Sequence, residues 1–478
     1  MNTKSKWVLA LAIVLICMVI TTHSAQAQPL TTLYSFPGTD GAEPMAGLVQ
    51  ATNGNFYGTT LYTNPDGGGG TVFEITPGGG TPTSFGLGSM AFPTGGLVQA
   101  TNGDLYGTTS GGGIYGAGSV FKITLGGVSK TIYSFCSQTN CPDGLAPIAG
   151  LIQATNGDFY GTTRFGGAND SGTVFKVTPE GALTTRYSFC SQSLCADGGN
   201  VPAGLIQAED GDFYGTTQGG GANGDGTVFK ITSDGALTTL YSFCSQTNCA
   251  DGTTPTAGLI QATDGYLYGT TFYGGYLSTC MDCGTIFKMT STGDLTTLHT
   301  FGRTGTDGSG PMAGLIQATD GDFYGTTEVG GAADKGTIFK ITSARKLTTL
   351  HSFCSKSGCP DGNTPYTGLI QATDGEFYGT TPSGGPNGNG TVFSLSVDLG
   401  PFVETQTASG RVETAVTILG SNLTGSTSVT FNGTAATFTV VSASEITTTV
   451  PAGATTGFVE VTTPGGTLTS NKKFTVKT

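Results

Sequence analysis

The cysteines are the residues whose spacing most directly suggests chemistry in this sequence. Of its 11 cysteines, eight form four Cys-x4-Cys pairs and two form a Cys-x2-Cys pair. An even number at such close spacing predicts disulfides in an exported chain. A lone Cys-x2-Cys lacks the four ligands of a typical zinc site and the βαβ surroundings of a redox centre, so we expect a disulfide there too. The pairs are Cys136/Cys141, Cys190/Cys195, Cys244/Cys249, Cys354/Cys359 and Cys280/Cys283.

A second set of chemically useful residues consists of aspartates that each precede a glycine in a loop-like segment. Such oxygen-rich loops can hold calcium. Asp before Gly also forms an ordinary Asx turn, so both interpretations stay open. We treat these residues as the candidate ligand-binding residues, with calcium as the only cofactor considered and no metal site assigned. They are Asp40, Asp143, Asp197, Asp251, Asp307 and Asp361.

Residues suited to catalysis are scarce. Beyond the first 27 residues the only histidines are His299 and His351, and both replace Tyr in a recurring Leu-Tyr-Ser-Phe segment. The sequence contains no GxSxG elbow, HExxH or paired-carboxylate motif. We therefore predict a non-catalytic protein with no catalytic residues. A polysaccharide-active enzyme remains an alternative, because its carboxylates would be brought together only in space. A structural surface or adhesion component is the other alternative.

These residues recur because the chain is a tandem repeat. The segment GLIQATDGDFYGTT, residues 314–327, occurs with small changes seven times, at intervals of 49 to 56 residues. Each repeat divides into four strand-like segments, A to D, which in the third copy are residues 150–154, 159–163, 173–178 and 183–189. Asn-Gly or Asp-Gly follows segment A in every copy, which predicts a type I′ hairpin. We therefore predict an all-β fold with a seven-bladed β-propeller; a β-solenoid is the alternative.

The ends of the repeat region predict how the ring closes. Residues 31–36 match segment D, whereas the seventh repeat stops after segment C at 391–396. We expect the N-terminal strand to complete the last blade, because this leaves no open sheet edge. The domain boundaries are then 28–398 for the propeller and 399–478 for a separate domain.

Residues 1–27 have the pattern of a signal peptide. Lys4 and Lys6 precede an apolar run at 7–20, and Ala-Gln-Ala at 25–27 suits cleavage. We expect an exported protein that is periplasmic, cell-surface or secreted, with no transmembrane segment in the mature chain. The net charge of −13 and the lack of a Lys/Arg cluster argue against nucleic acid as a partner.

Loop length predicts which propeller face binds. The A–B and C–D turns are short and share one face, whereas the D–A and B–C connections are long and share the other. Binding residues accumulate on long loops of rigid scaffolds. We therefore expect an extracellular glycan or protein to bind the long-loop face. For the recurring Gln of segment A and the recurring Tyr and Phe of segments B and C, we favour structural roles over a ligand ring.

Residues 399–478 lose the repeat and alternate Thr and Val, which predicts an immunoglobulin-like sandwich without a disulfide. Gly420-Ser421-Asn422-Leu423 and the segments 429–433 and 448–451 resemble IPT/TIG domains. That resemblance implies a spacer or binding module.

The repeats, with GLIQATDGDFYGTT, GTVFKIT and LTTLYSF, resemble the GloVer repeat of exported bacterial proteins over residues 31–397. This resemblance implies an exported surface-type protein and gives no reaction.

Overall fold

The computed structural model describes residues 30–63, 68–275, 283–302 and 307–477. The predicted signal peptide and Cys280 lie outside the described residues. Within these ranges the protein is all-β, with two single 3-10 turns, Ser193–Cys195 and Thr247–Cys249, as its only helical segments. None of the described helical segments is long and apolar enough to cross a membrane.

Seven four-stranded antiparallel sheets form the repeat region, and we number them 1 to 7 in chain order of their A strands. The short inner A strands are Val49–Gln50, Val98–Gln99, Ile152–Gln153, Ile206–Gln207, Ile260–Gln261, Ile316–Gln317 and Ile370–Gln371. The B strands are Phe56–Thr60, Leu105–Thr109, Phe159–Thr163, Phe213–Thr217, Leu267–Thr271, Phe323–Thr327 and Phe377–Thr381. The C strands are Thr71–Ile75, Ser119–Ile123, Thr173–Val177, Thr227–Ile231, Thr285–Met289, Thr337–Ile341 and Thr391–Leu395. The D strands of sheets 1 to 6 are Thr83–Gly86, Ser129–Ser134, Leu183–Ser188, Leu237–Ser242, Leu295–Thr300 and Leu347–Ser352.

Sheet 7 takes its D strand from the other end of the repeat region. Leu30–Ser35 pairs antiparallel with Thr391–Leu395, and Tyr34 lies opposite Val392. This is the pairing that the sequence predicts. It covers the edge of the last C strand, which would otherwise present unpaired backbone groups.

The A–B turns differ from the predicted type I′ geometry. In sheet 3 the Gly157 N–H donates to the Ala154 carbonyl, 2.8 Å away, and Ala154 N–H donates to Asp158 O, 2.9 Å away. Gly157 has a φ of 88°, whereas Asn156 has no positive φ. The loop is therefore a three-residue turn that ends in a left-handed glycine. The Asn156 side chain accepts a hydrogen bond from Asp158 N–H at 3.1 Å, so the Asn stabilises the turn as an Asx acceptor.

The core of the repeat region consists of seven apolar clusters, each between two neighbouring sheets. Rings stack across these interfaces; Tyr106 and Phe159, for example, have centroids 4.1 Å apart. The last cluster joins sheet 7 to sheet 1, where Phe56 and Tyr378 also lie 4.1 Å apart. The recurring aromatic residues therefore pack between sheets and are buried, as the structural interpretation predicts.

The C-terminal region contains two four-stranded sheets around their own apolar core, which includes Val416, Phe431 and Ile446. One sheet has the strand order Glu404–Thr405, Ala415–Leu419, Glu445–Thr449, Phe438–Val440. The other has the order Thr434–Ala435, Ser428–Phe431, Val459–Thr463, Gly466–Thr469. Ser409–Arg411 and Thr475–Lys477 form an additional parallel pair.

Candidate functional site

The long loops of each sheet are joined in the same way. In every sheet the incoming D–A connection pairs antiparallel with the start of the B–C connection, which makes a short two-stranded loop ribbon. The paired residues are Ala42/Tyr62, Ala91/Gly111, Leu145/Phe165, Gly199/Gly219, Thr253/Tyr273, Ser309/Val329 and Asn363/Ser383. The ribbons hold the long loops in a defined shape beside the ends of the B strands.

Backbone hydrogen bonds also connect neighbouring ribbons. Asn200 N–H donates to Ser171 O at 2.8 Å, and Thr254 N–H donates to Asp225 O at 2.9 Å; each acceptor lies in the B–C loop of the preceding sheet. Glu43 N–H donates to Asn389 O of sheet 7 at 3.0 Å. The long-loop face is therefore braced by main-chain contacts that do not depend on side-chain identity.

In the D–A connection of each sheet, one residue next to the ribbon pair has a left-handed backbone. We call these seven residues the mouth positions. Each lies one residue after the ribbon pair in the D–A connection, and their φ values range from 49° to 64°. Six of them accept a hydrogen bond from the first residue after strand B; Asn200 O, for instance, accepts from Gln218 N–H at 2.8 Å. The mouth positions are Glu43, Phe92, Ala146, Asn200, Thr254, Gly310 and Thr364.

Side chains of sheets 3 and 4 form a polar row along this face. Arg164 Nε donates to Asn200 Oδ1 at 2.9 Å, and Asn200 Nδ2 donates to Gln218 Oε1 at 2.7 Å. In sheets 1 and 2 the rings of Tyr62 and Phe92 meet edge to face, with centroids 5.9 Å apart. These five side chains are half-buried or exposed, so a ligand can contact them.

The predicted aspartates lie in the same D–A connections but point into their own loops. Asp197 has no exposed surface, and its Oδ2 accepts hydrogen bonds from the Tyr187 hydroxyl at 2.8 Å and from the N–H and hydroxyl of Ser191, both at 2.9 Å. Asp251 repeats this arrangement with Tyr241 and Ser245. These carboxylates brace the loops by accepting from residues five to ten positions earlier in the chain, whereas the predicted Asx turn would use the backbone just after the aspartate.

The other four aspartates have related partners. Asp143 accepts from Tyr133 and Ser137, and Asp40 accepts from Tyr34. Asp361 Oδ2 lies 2.8 Å from His351 Nε2, and Asp307 Oδ2 lies 3.4 Å from His299 Nε2. The two histidines therefore occupy the place of the tyrosine and contact the same loop carboxylate.

The pKa of Asp197 reflects this environment. Burial raises the pKa of the carboxyl, but the hydrogen bonds from Ser191, Tyr187 and Gln192 outweigh burial and hold it below its usual value. Burial raises the pKa of the Tyr187 hydroxyl, and its hydrogen bond to Asp197 acts in the same direction. The pair is therefore a charged carboxylate bound to a neutral phenol at neutral pH.

The four Cys-x4-Cys pairs lie in the same D–A loops and are bonded as disulfides, with Cα atoms 4.0 to 4.1 Å apart. The bonds are Cys136–Cys141, Cys190–Cys195, Cys244–Cys249 and Cys354–Cys359. Cys283 is disulfide-bonded and fully buried; its predicted partner Cys280 lies outside the described residues. The pairing of these eight cysteines is therefore the one that their spacing predicts.

The second cysteine of each pair also has a backbone role that its spacing does not predict. Cys141 and Cys359 have left-handed backbones, with φ values of 48° and 46°. The Cys141 carbonyl accepts from Gly144 N–H and from Gly167 N–H, both at 2.9 Å. The Cys359 carbonyl accepts in the same way from Gly362 N–H at 3.0 Å and from Gly385 N–H at 2.8 Å. These cysteines therefore join the D–A loop to the B–C loop through their main chain, in addition to closing the disulfide.

One group of sulfur and oxygen atoms resembles a metal site by distance alone. Asp225 lies close to the sulfur atoms of Cys244 and Cys249, but those sulfurs are bonded to each other. Two disulfide sulfurs and one carboxylate do not provide the donor set of a metal site. This group is therefore part of the loop structure.

The recurring glutamine forms a hydrogen-bonded ring at the opposite, A–B turn face. Each Gln side-chain oxygen accepts a backbone N–H from the preceding sheet, for example Gln207 from Thr155 at 3.0 Å. The ring is completed where Gln50 of sheet 1 accepts from Thr373 of sheet 7 at 2.9 Å. Each glutamine therefore pairs with backbone between sheets, as expected.

The C-terminal domain contacts this turn face. The Ser444 hydroxyl donates to Thr52 O at 2.7 Å in the turn of sheet 1, and the hydroxyls of Thr373 and Ser421 lie 2.8 Å apart at sheet 7. Gln406 Nε2 donates to Gln99 Oε1 at 3.0 Å at sheet 2. The second domain thus contacts the A–B turns of sheets 1 and 7 and the end of strand A in sheet 2.

Solved structures similar to this chain support the fold alone. The extracellular domain of a proposed hybrid two-component system from B. thetaiotaomicron matches with a TM-score of 0.50 and 11% identity over 82% of this chain. The match spans 45% of that protein's own chain, so this chain corresponds to less than half of it. Kuenenia stuttgartiensis hydrazine synthase matches with a TM-score of 0.51 and 12% identity, covering 76% of this chain and 98% of that one.

Two family models match this chain, one over the repeats and one over the C-terminal region. Among curated proteins, none matches this sequence. The model of the Gloeobacter/Verrucomicrobia repeat matches residues 19–144, 69–281, 136–318 and 278–435. The IPT/TIG domain model matches residues 401–476, which contain the two C-terminal sheets. The chain therefore belongs to the Gloeobacter/Verrucomicrobia repeat family and ends in an IPT/TIG domain.

Proposed function

We propose that the seven sheets are the blades of a closed seven-bladed β-propeller, followed by an immunoglobulin-like sandwich. We further propose that this is an exported, non-catalytic binding or scaffold protein. Its ligand, a glycan or a protein, binds the long-loop face. The contacts of Phe56 with Tyr378 and of Gln50 with Thr373 support closure, since both join the first and last sheets.

We place the ligand on the long-loop face because of the position of the C-terminal domain. Ser444 and Ser421 contact the A–B turns of sheets 1 and 7, and Gln406 contacts the end of strand A in sheet 2. The second domain therefore covers part of the A–B turn face and would obstruct a ligand there. The long-loop face has no such cover among the described residues, and its ribbons supply the rigid loops on which binding residues accumulate.

Export is proposed on two grounds. The four disulfides in the D–A connections suit an oxidising compartment. The sequence of residues 1–27 has the pattern of a signal peptide. Together they favour a periplasmic, cell-surface or secreted location.

A glycan array probed with the mature chain, residues 28–478, tests the proposal, and every glycan that binds is then assayed for reducing-sugar release. We expect binding without release. Release would favour the alternative of a polysaccharide-active enzyme with carboxylates on the long-loop face. If no glycan binds and no protein is captured from the cell envelope, the protein is a structural surface component instead.

A further inference from the structure

We propose that the mouth positions and the residues bonded to them form a binding site for an uncharged oligosaccharide, which lies along the arc from sheet 1 to sheet 4. This inference rests on the proposed function and assigns its ligand class and contact residues. The aromatic part of the arc is Tyr62, Phe92 and Phe165, and the polar part is Arg164, Asn200 and Gln218.

The first argument comes from comparing the repeats within the chain. All seven copies keep Tyr-Gly-Thr-Thr in strand B and Phe in the middle of strand C, where the side chains pack in the core. The two residues directly after Tyr-Gly-Thr-Thr differ in every copy, although their backbone pairing is the same. They are Leu61-Tyr62, Ser110-Gly111, Arg164-Phe165, Gln218-Gly219, Phe272-Tyr273, Glu328-Val329 and Pro382-Ser383. The fold therefore requires the backbone pairing of these two residues but does not restrict which side chains they have.

The second argument is the backbone conformation of the mouth positions. A φ of 49° to 64° is most easily adopted by glycine, and only Gly310 uses it. Within the arc, Phe92 accepts this conformation at a cost of roughly 1 kcal/mol or more. Because the ribbons are held by main-chain bonds, the fold gains little from this side chain. A residue that keeps a costly backbone conformation at this face favours a binding role for the face.

The third argument is the chemistry of the arc. Sugars present hydroxyl groups that both donate and accept, together with apolar ring faces. Asn200 and Gln218 each offer a donor and an acceptor, and Arg164 offers several donors. Phe92 and Phe165 are each 39% exposed and can stack on a sugar ring.

The arc has no net charge, which disfavours ionic ligands. Among the mouth positions of sheets 1 to 4 and the residues that directly follow their B strands, Glu43 and Arg164 are the only charged residues, and their charges cancel. An anionic chain would require several basic residues, as would a nucleic acid. The side chains span four sheets, so we expect an extended chain of several sugar units rather than a monosaccharide.

Glycine substitutions at the mouth test this proposal, because they separate binding from folding. We expect Phe92→Gly and Asn200→Gly each to weaken binding of a neutral array hit at least tenfold by calorimetry. We expect Phe92→Gly to leave the melting temperature equal to or above that of the wild type, since strain is relieved. The matched control is Tyr266→Ala, which removes a 38% exposed ring from the A–B turn face and should leave the affinity unchanged.

The outcomes distinguish this proposal from the broader one. If neutral glycans bind and both mouth variants keep full affinity, the arc is not the site, although glycan binding stands. If Tyr266→Ala abolishes binding instead, the wrong face has been assigned and both proposals fail. Binding only of charged glycans or of a protein contradicts the ligand class, while the proposed function survives. A clear loss of melting temperature in Phe92→Gly contradicts the strain argument.

Discussion

At the scale of single residues, the six candidate aspartates form hydrogen bonds within their own D–A connections or to the adjoining D strands. Asp197 binds the Tyr187 hydroxyl and the Ser191 N–H and hydroxyl within its own D–A loop, where it has no exposed surface. An ion or sugar could reach this carboxylate only if the loop opened. The sequence leaves calcium and turn formation as alternatives because Asp-Gly is compatible with both, and the burial of Asp197 favours a role within its own loop for that residue.

Removing this carboxylate should destabilise the protein. Asp197→Ala removes the shared acceptor of the Tyr187 hydroxyl and of the Ser191 N–H and hydroxyl in a partly buried loop, which should cost roughly 1 to 3 kcal/mol of unfolding free energy. Asp212→Ala is the matched control: its carboxylate forms a partly exposed pair with Lys230 at 2.6 Å, and such pairs contribute about 0 to 1 kcal/mol. Denaturant unfolding of both variants measures the difference. Equal effects would mean that Asp197 does not brace its loop.

The depressed pKa of Asp197 also predicts a pH dependence. The unfolded carboxyl titrates near its ordinary pKa of about 4, whereas the folded carboxyl titrates lower. The folded state therefore binds fewer protons in this range, so the stabilisation is present above about pH 4 and is lost as the pH falls through the folded pKa. We expect the melting temperatures of wild type and Asp197→Ala to draw closer together as the pH falls through the folded pKa. A difference that stays constant as the protein is acidified would contradict this assignment.

At the scale of secondary structure, the central glycine of Tyr-Gly-Thr-Thr sets how closely the strand packs. A Cβ built on Gly215 would lie 2.6 Å from Phe229 Cζ and 2.9 Å from Leu205 Cδ2. The other six copies have the same two neighbours, a Phe of strand C and a Leu just before strand A. This glycine is retained because of close approach and not because of its backbone angle.

Adding one methyl group at this position should therefore disturb the core. We expect Gly215→Ala to lower the unfolding free energy by roughly 1 to 3 kcal/mol, as overpacking does. Gly86→Ala is the matched control, because Gly86 also lies in a strand but its Cβ would meet nothing within 4 Å. Thermal denaturation of the two variants is the measurement. A loss that is equal in both would assign the effect to strand propensity instead of packing.

At the scale of the whole molecule, the contacts between the two ends of the repeat region determine the architecture. Sheet 7 is connected with the N-terminus by the N-terminal strand. It is connected with sheet 1 by the contact between the rings of Phe56 and Tyr378 and by the hydrogen bond between Gln50 and Thr373. Closure by the terminal strand should make the repeats unfold together, because opening one interface exposes an unpaired edge.

A disulfide across this closure tests it directly. Thr31 and Ser394 are cross-strand partners, so Thr31→Cys combined with Ser394→Cys should form a bond that ties the ends of the ring together. In the chain-entropy model a loop of this length contributes up to about 5 kcal/mol, and engineered bonds often give less. Peptide mapping should find the crosslink, and the melting temperature should exceed that of either single variant. Absence of the crosslink under oxidising conditions would contradict the closed ring.

Local features of the sequence determined much of this protein. Strand B of the third repeat is predicted at 159–163 and lies at Phe159–Thr163, because aromatic and β-branched residues that follow a turn-forming Asn-Gly specify it locally. The disulfides Cys136–Cys141 and Cys354–Cys359 follow from the close spacing of each pair. The pairing of the N-terminal strand follows from counting strands in each repeat, and the resemblance of both regions to known families is confirmed by the family models.

Tertiary contacts decided the features that local sequence does not specify. The three-residue form of the A–B turn depends on the φ of Gly157, and the role of Asp197 depends on its burial, neither of which the residue types specify. The left-handed backbone at Phe92 and Asn200 arises from hydrogen bonds to loops distant in sequence. The docking of the C-terminal domain on the A–B turns depends on contacts such as Ser444 with Thr52, which are 392 residues apart. A local pattern carries no information about such distant partners, and those partners position the candidate site.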